Sequence, residues 1–129
     1  MQVRARLFRP ARGAIDRQIA FPRGNGFVAK AEPLEEYGAK IVDNLSDLAS
    51  CDIVFTMVST GKDVKEVLYG PSGVMSAGKA PRIVVDSTSI SLPESAEIRA
   101  ELGKRGVKLL AAPVSGNAKV ITAGKLTIV

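Results

Sequence analysis

The chain has 129 residues, 46% of them hydrophobic, with 18 Lys and Arg against 13 Asp and Glu, one cysteine and no histidine. That is about one domain's length with an aliphatic core within reach; a lone Cys51 excludes an internal disulfide framework and fits a reducing cytoplasm, and without histidine it can build neither a Cys-His nucleophile nor a His-bearing zinc site. No apolar run approaches the roughly 20 residues that span a bilayer, and the net charge of +5 is concentrated: residues 1–30 hold seven basic groups against Asp16, whereas the other 99 hold eleven basic and twelve acidic.

Residues 1–29 read as a basic, poorly ordered leader, in which arginines alternate with small and apolar residues and Pro10, Gly13 and Pro22 interrupt any periodicity. Two functional readings stand beside that one. An Arg-rich, acid-poor start matches an organelle transit segment, and a basic arm matches a nucleic-acid or partner-binding module. Gly24-Asn25-Gly26-Phe27-Val28-Ala29 has the spacing of the G-x-G-x-x-A dinucleotide fingerprint. Its context fails, because that motif needs a hydrophobic strand before it and a helix after it to bring amides against a pyrophosphate.

A short acidic helix is expected from Ala29 to Tyr37, stopped by Gly38, followed by a minimal strand at Ile41-Val42 and one helical turn over Ser46–Ala49. Asp52–Val58 reads as a buried strand that ends at Ser59-Thr60-Gly61. Asp63–Leu68 is helical, Gly70-Pro71-Ser72-Gly73 breaks it, and a short helix is expected over Val74–Ala77. Arg82–Asp86 is the next strand, ending in the polar cluster Ser87-Thr88-Ser89-Ile90-Ser91. The helix Pro93–Arg105 has Pro93 in its first turn and Gly106 just past its end. Glu97 and Glu101 share its solvent face and read as solvated charges. Val107–Ala111 is a strand expected to be buried on both faces, and it delivers the turn Pro113-Val114-Ser115-Gly116-Asn117. A short segment Ala118–Ala123 and a last strand Leu126–Val129 complete the chain.

Strands alternating with helices at this spacing predict a parallel α/β sheet, and such sheets bind ligands just past the carboxyl ends of their strands. Three successive strands end in small polar residues, at Ser59-Thr60, Thr88-Ser89 and Ser115-Gly116-Asn117. Hydroxyls, a side-chain amide and a glycine suit the grip of a small oxygenated molecule, although each cluster alone also reads as an ordinary turn.

Asp52–Val58, Val84–Ser91, Ala112-Pro113-Val114-Ser115-Gly116 and Ala123–Ile128, in this order and at nearly this spacing, resemble the β-hydroxyacid dehydrogenase family. This is the family of 3-hydroxyisobutyrate dehydrogenase and of the cofactor domain of 6-phosphogluconate dehydrogenase. The resemblance implies an α/β, Rossmann-type doubly wound, mainly parallel sheet over residues 30–129 that binds NADP or NAD for hydride transfer to or from a small 3-hydroxy acid. It implies cofactor-binding roles for Val58, Ser59, Asp63 and Ser89, and a substrate-carboxylate role for Ser115, Gly116 and Asn117. Hydroxyls and amides at strand ends can position both partners without titrating themselves.

Three positions depart from the family pattern: Ser59 stands where a proline is usual, Ala111 where an aspartate is usual, and Asn117 where a second glycine is common. The resemblance also implies an incomplete domain, without the family's first βαβ unit and without the carboxyl-terminal helical domain that carries the catalytic lysine. Lys119 and Lys125 do not occupy that lysine's position, so no catalytic residue and no metal ligand is assigned. Gly26 falls near the place of the residue that selects NAD or NADP. An open sheet edge is expected to invite self-association or docking on a full-length paralogue, and the chain is expected to be inactive alone.

Overall fold

The computed structural model describes residues 17–20, as a strand path, and residues 32–129. The fingerprint-like Gly24–Ala29 and nearly all of the basic leader lie outside the described residues. The leader does contain one element that the sequence pattern gave no reason to place there, β1 (Arg17–Ala20), which runs parallel to β2 (Ala39–Val42) with Ile19 opposite Ile41. Only Ile19 in β1 is β-branched, so no alternation marks it.

Two short 3-10 helices flank β2, Glu32–Tyr37 and Leu45–Ser50. The acidic stretch before Gly38 is therefore wound more tightly than the α-helix that its charge pattern suggests. At Leu45–Ser50 the cap is Asn44, one residue before the segment, and Asn44 N–H donates to Asp47.

The centre of the molecule is a parallel sheet of β3 (Ile53–Thr56), β4 (Ile83–Asp86) and β5 (Lys108–Ala111) in the order β3-β4-β5. Helix α1 (Gly61–Tyr69) joins β3 to β4, and α2 (Leu92–Lys104) joins β4 to β5. Register places Val54, Val84 and Leu109 in one row, hence on one face of the sheet. Val64 and Leu68 of α1 and Ile98 and Leu102 of α2 pack on that row, and all four are fully buried. Burial of each such Leu or Ile stabilises the fold by about 1.5–3 kcal/mol, so this single layer holds the body together.

Two expectations are corrected here. β5 is buried on one face only: Leu109 is inside, but Lys108 and Leu110 are exposed, because both helices lie on the same side of the sheet. Val74–Ala77 forms turns instead of a helix. Between Gly73 and Gly78 there is room only for two i to i+3 bonds, Ser76 N to Gly73 O and Gly78 N to Met75 O, while Val74 and Met75 amides donate to Val67 O and Leu68 O at the end of α1.

Beyond β5, the two-residue strands β6 (Val114–Ser115) and β7 (Thr127–Ile128) pair antiparallel around α3 (Ala118–Thr122). No helix among the described residues is long and apolar enough to cross a membrane.

Candidate functional site

Because β3, β4 and β5 are parallel and in register, Thr56, Asp86 and Ala111 end the strands in one row and the loops that follow leave from one edge. The three polar clusters therefore emerge at the same end of the sheet. The first two are tied together. Ser87 N–H donates to Thr56 O at 2.8 Å, and Val58 N–H donates to the Thr88 hydroxyl at 3.1 Å. The third leaves beside them, since Ala112 N–H donates to Asp86 O at 2.8 Å.

Beneath this edge lies a polar group of which the sequence pattern marks only Thr88. Thr56 Oγ1 donates to Asp86 Oδ1 at 2.9 Å, and Thr88 N–H donates to the same oxygen at 3.2 Å. Thr56, Asp86 and Thr88 are each at most 5% exposed. Alternation held the signal: Thr56 and Asp86 are two residues past Val54 and Val84, so they share the inward face.

The predicted cofactor residues fare differently from one another. Val58 is half-buried with its amide committed to Thr88, whereas Ser59 and Ser89 are exposed immediately after the tied residues. Asp63 has a helical role: its Oδ2 accepts from Thr60 N–H at 2.9 Å and from the Thr60 hydroxyl at 2.8 Å, while Thr60 Oγ1 caps Asp63 N–H. That is a capping box at the start of α1.

Ser115, Gly116 and Asn117 are exposed, but two of them also serve the local fold. Asn117 Oδ1 accepts from Lys119 N–H at 3.1 Å and Val120 N–H at 3.2 Å, capping α3. Gly116 has φ of 142°, and a Cβ there would lie 2.9 Å from Val120 Cγ1. Ser115 and Gly116 are exposed residues beside this cap.

At the same edge the first turns of α1 and α2 meet. A Cβ on Gly61 would lie 2.7 Å from Glu94 Oε1. Glu94 Oε2 accepts from Ser91 N–H at 3.0 Å and from the Ser91 hydroxyl at 2.6 Å, and these bonds hold its carboxyl below the usual glutamate range. Farther along, Lys65 Nζ donates to Glu97 Oε2 at 2.6 Å and links the two helices. Among the described residues no group of three or more His, Cys, Asp or Glu could hold a metal ion.

A parallel α/β sheet with both crossover helices on one face and hydroxyl-rich loops at its carboxyl edge has the layout of one half of a doubly wound fold. The chain belongs, over residues 20–129, to the family of the NAD binding domain of 6-phosphogluconate dehydrogenase. It is 37% identical over 92 residues to 2-(hydroxymethyl)glutarate dehydrogenase of Eubacterium barkeri, covering 70% of this chain and 31% of that protein. It is 34% identical over 95 residues to the cytokine-like nuclear factor N-PAC of Mus musculus, covering 73% of this chain and 17% of that one. The structure of Mycobacterium tuberculosis 3-hydroxyisobutyrate dehydrogenase with L-serine superposes with a TM-score of 0.65 at 25% identity, over 88% of this chain and 46% of that one. The chain thus spans a third or less of the length of these two sequence relatives. The Rossmann-type fold and the nicotinamide-dinucleotide class of cofactor expected from the sequence are thereby established for this domain.

Proposed function

We propose that the carboxyl edge of the sheet is one wall of the active site of an oxidoreductase that transfers hydride between NADP or NAD and a small 3-hydroxy acid. The observation that carries this reading is the shared edge of the three polar strand ends, two of them tied by Thr88. Val58, Ser59 and Ser89 line the cofactor side, and Asp63 contributes by fixing the turn into α1. Ser115, Gly116 and Asn117 offer a hydroxyl, a backbone amide and a side-chain amide nitrogen to the substrate carboxylate.

The donor set fits the nicotinamide half of the cofactor: exposed neutral hydroxyls sit over a buried polar base. A bound nicotinamide supplies the hydride acceptor or donor. The pyrophosphate half finds less, since among the described residues no glycine-rich turn leads from a strand into a helix. Oxidation of a hydroxy acid also requires a group to take the hydroxyl proton, and Lys119 and Lys125 are exposed. We therefore infer weak cofactor binding and no turnover by these 129 residues alone, in a cytoplasmic setting.

Titration of the isotope-labelled chain with NADPH and, separately, NADH tests this. Amide shifts confined to residues 58–60 and 87–91, weakened in the Ser59→Ala/Ser89→Ala double variant, are the expected result. No shift with either nucleotide, or shifts clustered elsewhere, would overturn the reading, and turnover of a hydroxy acid would overturn the inactivity.

A further inference from the structure

We propose that Asp86 is a positioning residue: its buried carboxyl group, with Thr88 as relay, sets the spacing of the loops that carry Ser59 and Ser89. Backbone pairing between β3 and β4 ends at Thr56 and Asp86. The linkage between the two chains continues past that point. Ser87 N–H reaches Thr56 O, and then Val58 N–H reaches the Thr88 hydroxyl, where a side-chain oxygen takes the place of a strand carbonyl. That hydroxyl can serve only if the loop after β4 holds Thr88 in place. Asp86 Oδ1 does so by accepting from Thr88 N–H, and it is itself held from the neighbouring strand by Thr56 Oγ1. Three hydrogen bonds thus join four residues, two from each strand and its loop, and the chain between Thr56 and Val58 closes them into a ring just below the edge.

This ring is costly for a sheet that has only itself to hold. Burying a carboxyl and two hydroxyls carries a desolvation cost that its hydrogen bonds only partly recover, and well-packed apolar residues of similar volume are often at least as stable. Thr56 and Asp86 continue the inward face of Val54 and Val84. What apolar residues could not do is fix two loops against each other. The next residue along each loop is exposed Ser59 or Ser89, so their separation follows from the ring. For the cofactor, the consequence rests on the proposed hydride-transfer reading.

Amide hydrogen exchange by NMR on the full 129-residue chain, combined with NADPH and NADH titrations, tests the proposal. Thr88→Val keeps the shape and removes the acceptor; Thr88→Ser restores it; Asp86→Asn retains an oxygen at the Oδ1 position. The expected result is at least about tenfold faster exchange at Val58 in Thr88→Val, with Ile98 and Leu102 amides unchanged and nucleotide affinity lowered about tenfold. Thr88→Ser and Asp86→Asn keep the protection and the affinity, whereas Asp86→Leu, which removes the oxygen that holds Thr88, speeds exchange at Val58 as Thr88→Val does; unchanged exchange at Val58 in Asp86→Leu would overturn the role of Asp86. Unchanged exchange at Val58 in Thr88→Val, or equal loss of protection at Ile98 and Leu102, would overturn the proposal, the second by showing a general structural role. The exchange arm reads the loops whether or not nucleotide binds. A wild-type chain that ignores both nucleotides therefore counts against the proposed function alone.

Discussion

Asn117 is asked to do two things, and single substitutions can separate them. Its Oδ1 caps α3 through the amides of Lys119 and Val120, leaving the amide nitrogen as the group to offer a carboxylate. Asn117→Ala is expected to lower stability by about 1 kcal/mol in urea denaturation, the usual worth of a side-chain cap. Asn117→Asp retains a capping oxygen, so stability is expected to hold, while the added negative charge abolishes 3-hydroxy acid binding as read by amide shifts at Ser115 and Gly116. Loss of stability in both variants would place Asn117 in the fold alone. Next to it, Gly116→Ala is strained twice over, by φ of 142° and by the 2.9 Å approach to Val120. A cost of about 1–3 kcal/mol is expected by the same measurement.

At the scale of elements, α1 and α2 are set by their first turns. Ser91 and Glu94 form a capping box at α2, and Gly61 of α1 sits directly against the Glu94 carboxyl. Glu94 is held below the usual glutamate range by the Ser91 bonds, and Glu101 by its bonds to Lys104 and Arg105. A carboxyl whose folded pKa is depressed contributes stability above its unfolded value of about 4.3 and loses it as pH falls through the folded value. Urea unfolding is therefore expected to weaken below about pH 4.3, with a shallower fall in Glu94→Gln/Glu101→Gln. An identical pH slope in that double variant would remove both groups from the acid response. Gly61→Ala should destabilise by displacing Glu94 from its cap, so its cost is expected to shrink in a Glu94→Ala background, a double-mutant cycle with a non-zero coupling. These elements were legible in the sequence for local reasons. Val84-Val85 and Ile53-Val54-Phe55 are β-branched or aromatic and end in polar clusters, and α2 has Pro93 and Ser91 at its start. β1 was not, because Arg17-Gln18-Ile19-Ala20 is a strand only through its pairing with β2, a contact about 20 residues away that no local pattern encodes. The Asp86 ring was half legible: inward placement follows from alternation, but its partners depend on register.

For the whole molecule the deciding feature is which surfaces of the sheet are covered. Both helices lie on the Val54 face, so the opposite face carries Phe55, Val85 and Leu110 in one row, with Phe55 73% and Leu110 56% exposed and Ile53 beside them. Among the described residues β3 pairs on one side only, and β1 pairs only with β2. In the doubly wound strand order the central strand lies between two halves of this kind, and the free side of β3 is the side it would cover. The far edge of the sheet differs, because Arg99 Nη1 donates to Leu109 O at 2.6 Å and blunts β5 with a charge. Among the described residues the free edge of β3 has no such guard: Ile53, Val54 and Phe55 present neither a charge nor a proline. An unguarded edge beside an apolar face favours pairing with another chain, and a second copy is always at hand in a pure sample. Static light scattering is expected to show a mass that rises with concentration, and Phe55→Lys, which puts a charge at the edge without touching the Val54 face, should hold the particle at the monomer mass. If Leu110→Lys, on the strand farthest from that edge, also holds the monomer mass, the apolar face is the contact; if Leu110→Lys associates as readily as the natural chain while Phe55→Lys does not, the β3 edge is. If neither variant changes the mass, association does not use this sheet.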